Sequence, residues 1–594
     1  MYQVFKIIAI GIACLVVTSV SAVTKSNTTI MIRDQYDFDN LQNILNESVS
    51  SDNKSIIVDI APGKYLFADE HLTLNDLYAP NVSITIRGDN DVYLQPNGKA
   101  YSSGDLFEGN FYIYDSWMSD DLDVPNWSHI RYADGIVEVN DVDKKLCRIK
   151  TKKDLEILEN SHDSYILIPC WFRSWIYKIS KIEDGYIYFV ADNLKVSYKN
   201  GYNVNDDFNY GKKEIRYKLC NIKTNDDCLK VIDDIVSFSD GLESVWNGKA
   251  CNFMTINNCV LSKLEINGIE FRGNSSSNEN SLLSFNKLVS VKAYIKQCTF
   301  RGIHSNVISI NSSPNITVEN NYFQDCYCHG VISDNISART SVLNNSFCNM
   351  GKRMQSSFCI SCSGENYLVQ SNKIINYGYG GIRVGVWYNK PQYNASCGIV
   401  ENNELIYTED YIKDIDDKGI MDGGAIYLFT KNDGAIIRGN YIASYTGMKD
   451  NRGIFCDDGA YNYQIYGNII LGITNSYSID SPRCSTVERH KTPHSGVERA
   501  NINNVIRDNI VDTPIRFEGY EESNNGCIKG INYILQKKEK ELLGVYKNVS
   551  ISKDDVYISL KDNYTGELVV SSNDYKAIRK SPSWKLLKRY VRAN

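Results

Sequence analysis

The sequence predicts an all-β protein: a right-handed parallel β-helix with an N-terminal cap and a small inserted β domain. Three observations predict it. The stretch from Met421 to Leu471 says the same thing twice: Ile426-Tyr427-Leu428-Phe429 leads to Ile436-Ile437-Arg438-Gly439-Asn440, and Ile454-Phe455-Cys456-Asp457 leads to Gln464-Ile465-Tyr466-Gly467-Asn468, at an offset of 28. An asparagine recurs at one corner of this unit along the chain, at Asn321, Asn345, Asn372, Asn403, Asn440, Asn468 and Asn509, in steps of 24, 27, 31, 37, 28 and 41. Each unit is two short alternating strands and two turns, too little to bury an apolar face alone, so units of this period must stack.

The flanking text supports one column. VENNYF at 318–323, VLNNSF at 342–347, VQSNKI at 369–374 and VENNEL at 400–405 share a register. Val307, Val331, Phe358, Ile426 and Ile454 each stand 14 residues before an asparagine of the series. Upstream, Ile269 and Cys298 hold the asparagine column, with Phe271 and Phe300 in the places of Phe323 and Phe347. Unequal steps mean loops of different length inserted at fixed corners, which argues against a β-propeller or a leucine-rich solenoid. Coils should stack at about 4.8 Å, with Ile426, Leu428, Ile454 and Cys456 inward. Each corner amide should bond to the corners above and below it.

Taken in order, residues 1–22 read as a secretory signal: Lys6, the apolar run Ile7 to Val17, and Val20-Ser21-Ala22 as a cleavage site. The run is short for a membrane span, and no later segment could be one. Secretion, or a periplasmic or cell-surface location, is expected. Residues 23–100 read as the cap and first coils, with an amphipathic helix from Phe38 to Val49 covering the open end of the core. Residues 101–250 break the pattern and read as the inserted β domain, where Trp171, Trp175 and Tyr177 serve as core or as a carbohydrate cleft. Residues 251–535 are the main solenoid. Residues 536–594 form a β and basic tail, ending in Trp584, Leu587 and Val591 at helical spacing.

Composition narrows the partners. Lys plus Arg number 64 against 71 Asp plus Glu, a net charge of −7, which gives no reason to expect nucleic acid. The 41 Tyr and 7 Trp suit a protein that handles poly- or oligosaccharide. Sixteen cysteines follow the leader; Cys298, Cys359 and Cys456 fall in repeat strands and read as stacked core thiols.

No HExxH, GxSxG or P-loop is present, and the seven His form no cluster. Carboxylates are therefore the available catalysts. Asp422 precedes Gly423-Gly424, and Asp457-Asp458-Gly459 ends a strand one coil later. Asp457 is out of phase with the inward Ile454 and Cys456, so it should point outward. Asp422 and Asp450 each stand four residues before their coil's Ile, which puts them about 4.8 Å apart along the stack. Paired outward carboxylates are what glycosidic cleavage needs, one protonated and one ionised. Asp-Gly is also ordinary turn chemistry. Arg383 shares the outward phase of Tyr427 and Phe455, giving a column suited to a sugar ring or a uronate carboxylate. Arg438, Arg452, Arg516 and Glu518 are secondary candidates. No cofactor is expected; Asp450, Asp457 and Asp458 offer the hard oxygens that Ca²⁺ would take, and Asp334, four coils away, is too far to join them.

The phrases Asp422-Gly423-Gly424-Ala425-Ile426-Tyr427 and Gly453-Ile454-Phe455-Cys456-Asp457-Asp458-Gly459-Ala460 resemble the paired "DGGAIY…GIYLDDGA" text of β-helical, pectin-lyase-like glycoside hydrolases, the group with α-L-fucosidase-, α-galactosidase- and β-xylosidase-type members. This chain departs at Phe455-Cys456, where Tyr-Leu is usual. The resemblance spans most of residues 30–515. It implies a glycoside hydrolase with Asp422 and one of Asp457 and Asp458 as catalytic acids. Arg383, Tyr427, Phe455 and Asp450 are the substrate-binding expectation. A polysaccharide lyase using Arg383, and a glycan-binding protein without catalysis, are the alternatives.

Overall fold

Three long parallel sheets, of 13, 11 and 12 strands, run side by side along the chain, and each coil adds one strand to each of them. In the computed structural model the described residues are 27–50, 55–101 (without 90 and 98), 252–273, 281–351 (without 335), 357–385, 395–408, 423–444 (without 430, 431 and 434), 452–473 (without 458, 459 and 461), 477–481, 504–517 (without 512 and 514), 528–529 and 533–534, together with the strands between 112 and 247. A coil reads, for example, Asn306–Asn311 in the 11-stranded sheet, Ile316–Glu319 in the 13-stranded sheet and Tyr322–Gln324 in the 12-stranded sheet, before Val331–Ser333 returns to the first. This is a parallel β-helix.

The corner between the 13- and 12-stranded sheets is where sequence chemistry dictates geometry. The first corner residue has a positive φ at Asn320, Asn344, Ser371, Asn402, Gly439, Gly467 and Asp508. Asparagine, aspartate and glycine reach this region most cheaply. The residue after each is the buried asparagine of the series. Its Nδ2 donates to the Oδ1 of the next, at 2.9–3.0 Å from Asn321 through Asn345, Asn372, Asn403, Asn440 and Asn468 to Asn509. The same Oδ1 also accepts the backbone N–H of the previous asparagine. The second Nδ2 hydrogen goes to a carbonyl of the coil behind, such as Val318 for Asn345 and Val369 for Asn403. Every polar atom of these amides is thus satisfied, which is what permits their burial. Cys298 ends the ladder by donating its backbone N–H to Asn321.

Beside the ladder the core is built from stacked columns. Phe271, Phe300, Phe323 and Phe347 lie ring on ring, with centroids 5.2, 4.8 and 4.4 Å apart. Each buried ring contributes about 2–3 kcal/mol by area alone. The inward column of the 11-stranded sheet runs Ile308, Val331, Ile360, Ile382, Ile426, Ile454, Ile479 and Ile515. This corrects the expected column of Val307, Val331 and Phe358. The fixed 14-residue offset fails because the turn between the 11- and 13-stranded sheets is one or two residues shorter in some coils: Ile308 stands 13 before Asn321, and Ile360 stands 12 before Asn372.

Near the N-terminus, the single helix expected from Phe38 to Val49 is two, Gln35–Asp39 and Leu41–Ser50, parted at Asn40 and opened by the Asp34 cap. Phe38, Leu41 and Leu45 are buried from this segment into the core cluster, with Phe38 stacked on His71. Between the strands Lys99–Tyr101 and Met254–Asn257 the chain forms a separate seven-stranded antiparallel sheet. The side chains of Trp171, Trp175 and Tyr177 lie outside the described residues, as do the leader and the tail. Cys298, Cys359 and Cys456 are buried and unbridged. Burial pushes the thiols of Cys298, Cys326 and Cys362 up to about 12. No described helix is long and apolar enough to cross a membrane.

Asn403→Leu removes two donated and two accepted hydrogen bonds in the middle of the ladder. It should cost about 3 kcal/mol or more, since each buried group left unpaired costs about 1–3 kcal/mol. Asn311→Ala, at the exposed end of a second asparagine row, should cost under about 1 kcal/mol. Urea unfolding of both variants checks the contrast, and equal losses would show that the buried ladder is not special.

Candidate active site

The residues in question share the outer face of the 11-stranded sheet, and a local break in alternation puts them there. Gly453 and Ile454 both face the core: a Cβ on Gly453 would meet Ile470 Cγ2 at 2.3 Å. Their neighbours Arg452 and Phe455 therefore both turn outward, with the Arg452 guanidinium 4.1 Å over the Phe455 ring. Gly424, one coil earlier, is a packing requirement rather than a corner, because a Cβ there would lie 2.9 Å from the Cβ of Phe455.

In register along the face stand Ser361, Arg383, Tyr427, Phe455, Asp480 and Arg516, one per coil. Arg383, Tyr427 and Phe455 are therefore adjacent. The two rings do not offer sugar-stacking faces, however. Tyr427 and Phe455 are each 2% exposed and meet edge-on at 5.1 Å. Phe358, Tyr379 and Phe429 close around Tyr427 with centroids 5.7, 5.4 and 4.5 Å away. What Tyr427 contributes is its hydroxyl, which donates to Oδ2 of Asp457 at 2.5 Å. Asp457 is half-buried. Its backbone N–H bonds to Leu428 and its carbonyl accepts from Ala460, so strand end and turn fix its position.

Arg383 is half-buried one coil before Tyr427. Its Nε donates to Ser361 Oγ at 2.9 Å, and its Cζ lies 5.0 Å from the centre of the Phe358 ring. Desolvation lowers its pKa to about 10, which leaves it charged at neutral pH. Beneath it, buried His329 accepts the Phe358 backbone N–H on Nδ1 at 3.1 Å. Burial first, and the Arg383 charge second, hold this imidazole neutral, with a pKa pushed down to about 3.

At the far end of the face Asp480 is fully buried and clamped. Arg452 Nε reaches Oδ2 at 2.7 Å, and Arg516 reaches Oδ1 with Nε at 2.6 Å and Oδ2 with Nη2 at 2.7 Å. With no exposure, Asp480 holds the two guanidinium groups in place and cannot touch a ligand itself. Arg438 belongs elsewhere, paired with Glu401 at 2.7 Å on the outside of the 13-stranded sheet. Asp334 is a corner cap that accepts from the Ser312 and Ser337 backbone N–H groups and the Ser337 hydroxyl. Asp422, Asp450, Asp458 and Glu518 lie outside the described residues. Among the described residues no group of three or more His, Cys, Asp or Glu could hold a metal ion.

The sequence reading missed Asp480, Ser361 and His329. The first two follow the rule that found Arg383, one residue after the column's Ile. Ile479 was hidden because its coil's ladder residue, Asn509, is 30 positions away, and Ile360 because the column had been set on Phe358. Nothing in the sequence marks His329 as this face's buried neutral base.

No family model matches the chain, and neither does any curated protein. Among solved structures, a glycoside hydrolase is 10% identical with a TM-score of 0.46, covering 85% of this chain and 96% of its own. The catalytic domain of a GH87 α-1,3-glucanase in complex with nigerose is 11% identical at TM-score 0.20, covering 72% and 99%. The tailspike protein gp49 of Pseudomonas phage LKA1 is 9% identical at TM-score 0.17, covering 84% and 72%. At these values none of them assigns an activity to this chain.

His329 gives this face a pH signature. A folded pKa below the unfolded 6.5 means the unfolded chain binds the extra proton, so His329's contribution is complete above about pH 6.5 and is lost as pH falls toward 3. The slope is about 1.4 kcal/mol per pH unit at most. His329→Gln, which keeps an acceptor for Phe358, should flatten urea stability between pH 6.5 and 4.5; an unchanged slope would place the titration elsewhere.

Proposed function

We propose that the chain is an exported carbohydrate-active enzyme, a glycoside hydrolase in which Asp457 is one of two working carboxylates. The observation that carries this is the Tyr427 hydroxyl seated on the half-buried Asp457, beside a half-buried arginine and on a layer of packed rings. A hydroxyl donated to a carboxylate favours its ionised form, and that is the form a nucleophile or a water-activating base needs. Asp457 is therefore assigned to that role. The acid that protonates the leaving oxygen is assigned to Asp422 or Asp458, which the sequence places on the segments flanking these strands. Asp450 belongs to substrate binding in this reading.

A second reading, a polysaccharide lyase, is favoured by Arg383, because a lyase must neutralise a uronate carboxylate and Arg383 has the charge and the place. The two separate cleanly by product. Hydrolysis gives reducing ends with no new chromophore, whereas elimination gives an unsaturated sugar that absorbs in the near ultraviolet.

A panel of plant, algal and host glycans, followed by reducing-sugar and ultraviolet assays together, should give reducing ends without absorbance. With the glycan so found, Asp457→Asn should lower kcat by about 100-fold or more while retaining the wild-type melting temperature. Tyr427→Phe should lower it less. Wild-type turnover in Asp457→Asn would remove Asp457 from the mechanism, and glycan binding with no product from any substrate would make the chain a binding protein.

A further inference from the structure

We propose that Arg383 forms a subsite for the carboxylate of a uronic-acid residue, one coil before Tyr427, so that the glycan acted on at this face is an acidic one. The inference rests on reading this face as a glycan site and adds the charge class of its substrate.

The case is one of an unmatched charge in a built setting. Arg383 is half-buried, and among the described residues no carboxylate lies within ion-pair distance of it. Among the described residues its one hydrogen bond is from Nε to the Ser361 hydroxyl, and none of them offers an acceptor to the two terminal nitrogens. Among the described residues the guanidinium groups further along the repeat are matched: Arg452 and Arg516 share Asp480, and the more exposed Arg438 takes Glu401. A partly desolvated cation without a counter-ion is costly unless something binds it.

The surroundings hold the fork rather than satisfy it. The Phe358 ring lies against its Cζ, and the Ser361 bond fixes Nε. His329, the basic group next to it, is buried and bonded to the Phe358 N–H, and burial together with the Arg383 charge keeps it neutral, so it does not compete for an anion. A planar guanidinium whose terminal nitrogens meet no acceptor among the described residues matches a carboxylate with two parallel hydrogen bonds. The position fits as well. Arg383 and Tyr427 are register neighbours, about 4.8 Å apart along the stack, which is about the length of one sugar unit. An acidic sugar at Arg383 would place its neighbour's glycosidic bond toward the Tyr427–Asp457 pair.

The test is equilibrium binding of full-length wild type, Arg383→Gln and Arg383→Lys to oligogalacturonate, oligomannuronate and a glucuronate-containing oligomer, each beside its carboxyl-reduced counterpart and beside a sulfated neutral oligomer. Wild type should bind at least one uronate glycan about 10-fold or more tighter than the reduced form. Arg383→Gln should erase that preference, and Arg383→Lys should keep part of it. Equal binding of acidic and reduced forms by wild type overturns the proposal, as does a preference that survives Arg383→Gln, absence of binding to every uronate glycan, or a stronger preference for sulfate. Should Arg383→Gln fail to fold, the wild-type ratio and Arg383→Lys decide. Product formation is scored separately in the same mixtures. Acid-selective binding without product refutes the hydrolase and keeps the subsite; product from neutral glycans with no acid preference does the reverse.

Discussion

Everything in this molecule depends on one corner. A parallel β-helix has no hairpins to fix its register, and a slip of one residue would turn each strand's apolar side chains outward. The buried asparagine row prevents the slip because its geometry is digital. Asn345 either receives Asn321 and reaches Asn372 and Val318, or it is buried with unpaired groups. Seven amides in series lock the 13- and 12-stranded sheets coil to coil. The residue in front of each must accept a positive φ, which is why asparagine, aspartate, glycine and once serine stand there. The phenylalanine stack then fills the space the ladder defines.

The opposite sheet has more freedom, and that freedom is what brings the candidate site together. Loops enter at the ends of the 11-stranded sheet, and the turn that follows it changes length from coil to coil. Where two successive residues face the core, as at Gly453 and Ile454, two outward columns are created in place of one. Arg452 can then cross to Asp480 on the next coil, and Phe358 can lie against Arg383. The aromatic layer excludes water from the root of the polar groups. This strengthens the Tyr427–Asp457 bond and raises the cost of leaving Arg383 without an anion.

How much of this was legible in the sequence follows the same division. The ladder was readable residue by residue, because a buried amide tolerates no substitute and the corner keeps constant length. The stack from Phe271 to Phe347 was readable for the same reason. The 11-stranded sheet was readable at Val331, Ile426 and Ile454, where the offset stayed at 14, and by strand phase at Ile382, which stands 21 before Asn403. The pairing of Arg383, Tyr427 and Phe455 came out of that phase rule, whereas Ile308 and Ile360 were displaced by turns one or two residues shorter. Burial was the quantity phase could not supply. Outward of the core does not mean open to solvent, and Tyr427 and Phe455 are outward and covered at once. The expected pair of aspartates stands only as Asp457 among the described residues, so the cluster around it, not the pair, is what the structure adds.

Two aspartates on this face show why position in a column does not confer a role. Asp480 and Asp457 are both at the outer side of the same sheet. Asp480 has both oxygens occupied by three guanidinium nitrogens and no surface, so its charge is spent within the protein and its function is to set the place of Arg452 and Arg516. Asp457 has one oxygen on a neutral hydroxyl and retains surface. A carboxylate that must exchange protons or meet an anomeric carbon needs accessible lone pairs, and a neutral donor orients it without neutralising its charge. On that physical ground the clamp around Asp480 belongs to stability, while Asp457, which keeps surface, and Arg383, one coil before Tyr427, are the charges on this face to which the proposed chemistry and recognition are assigned.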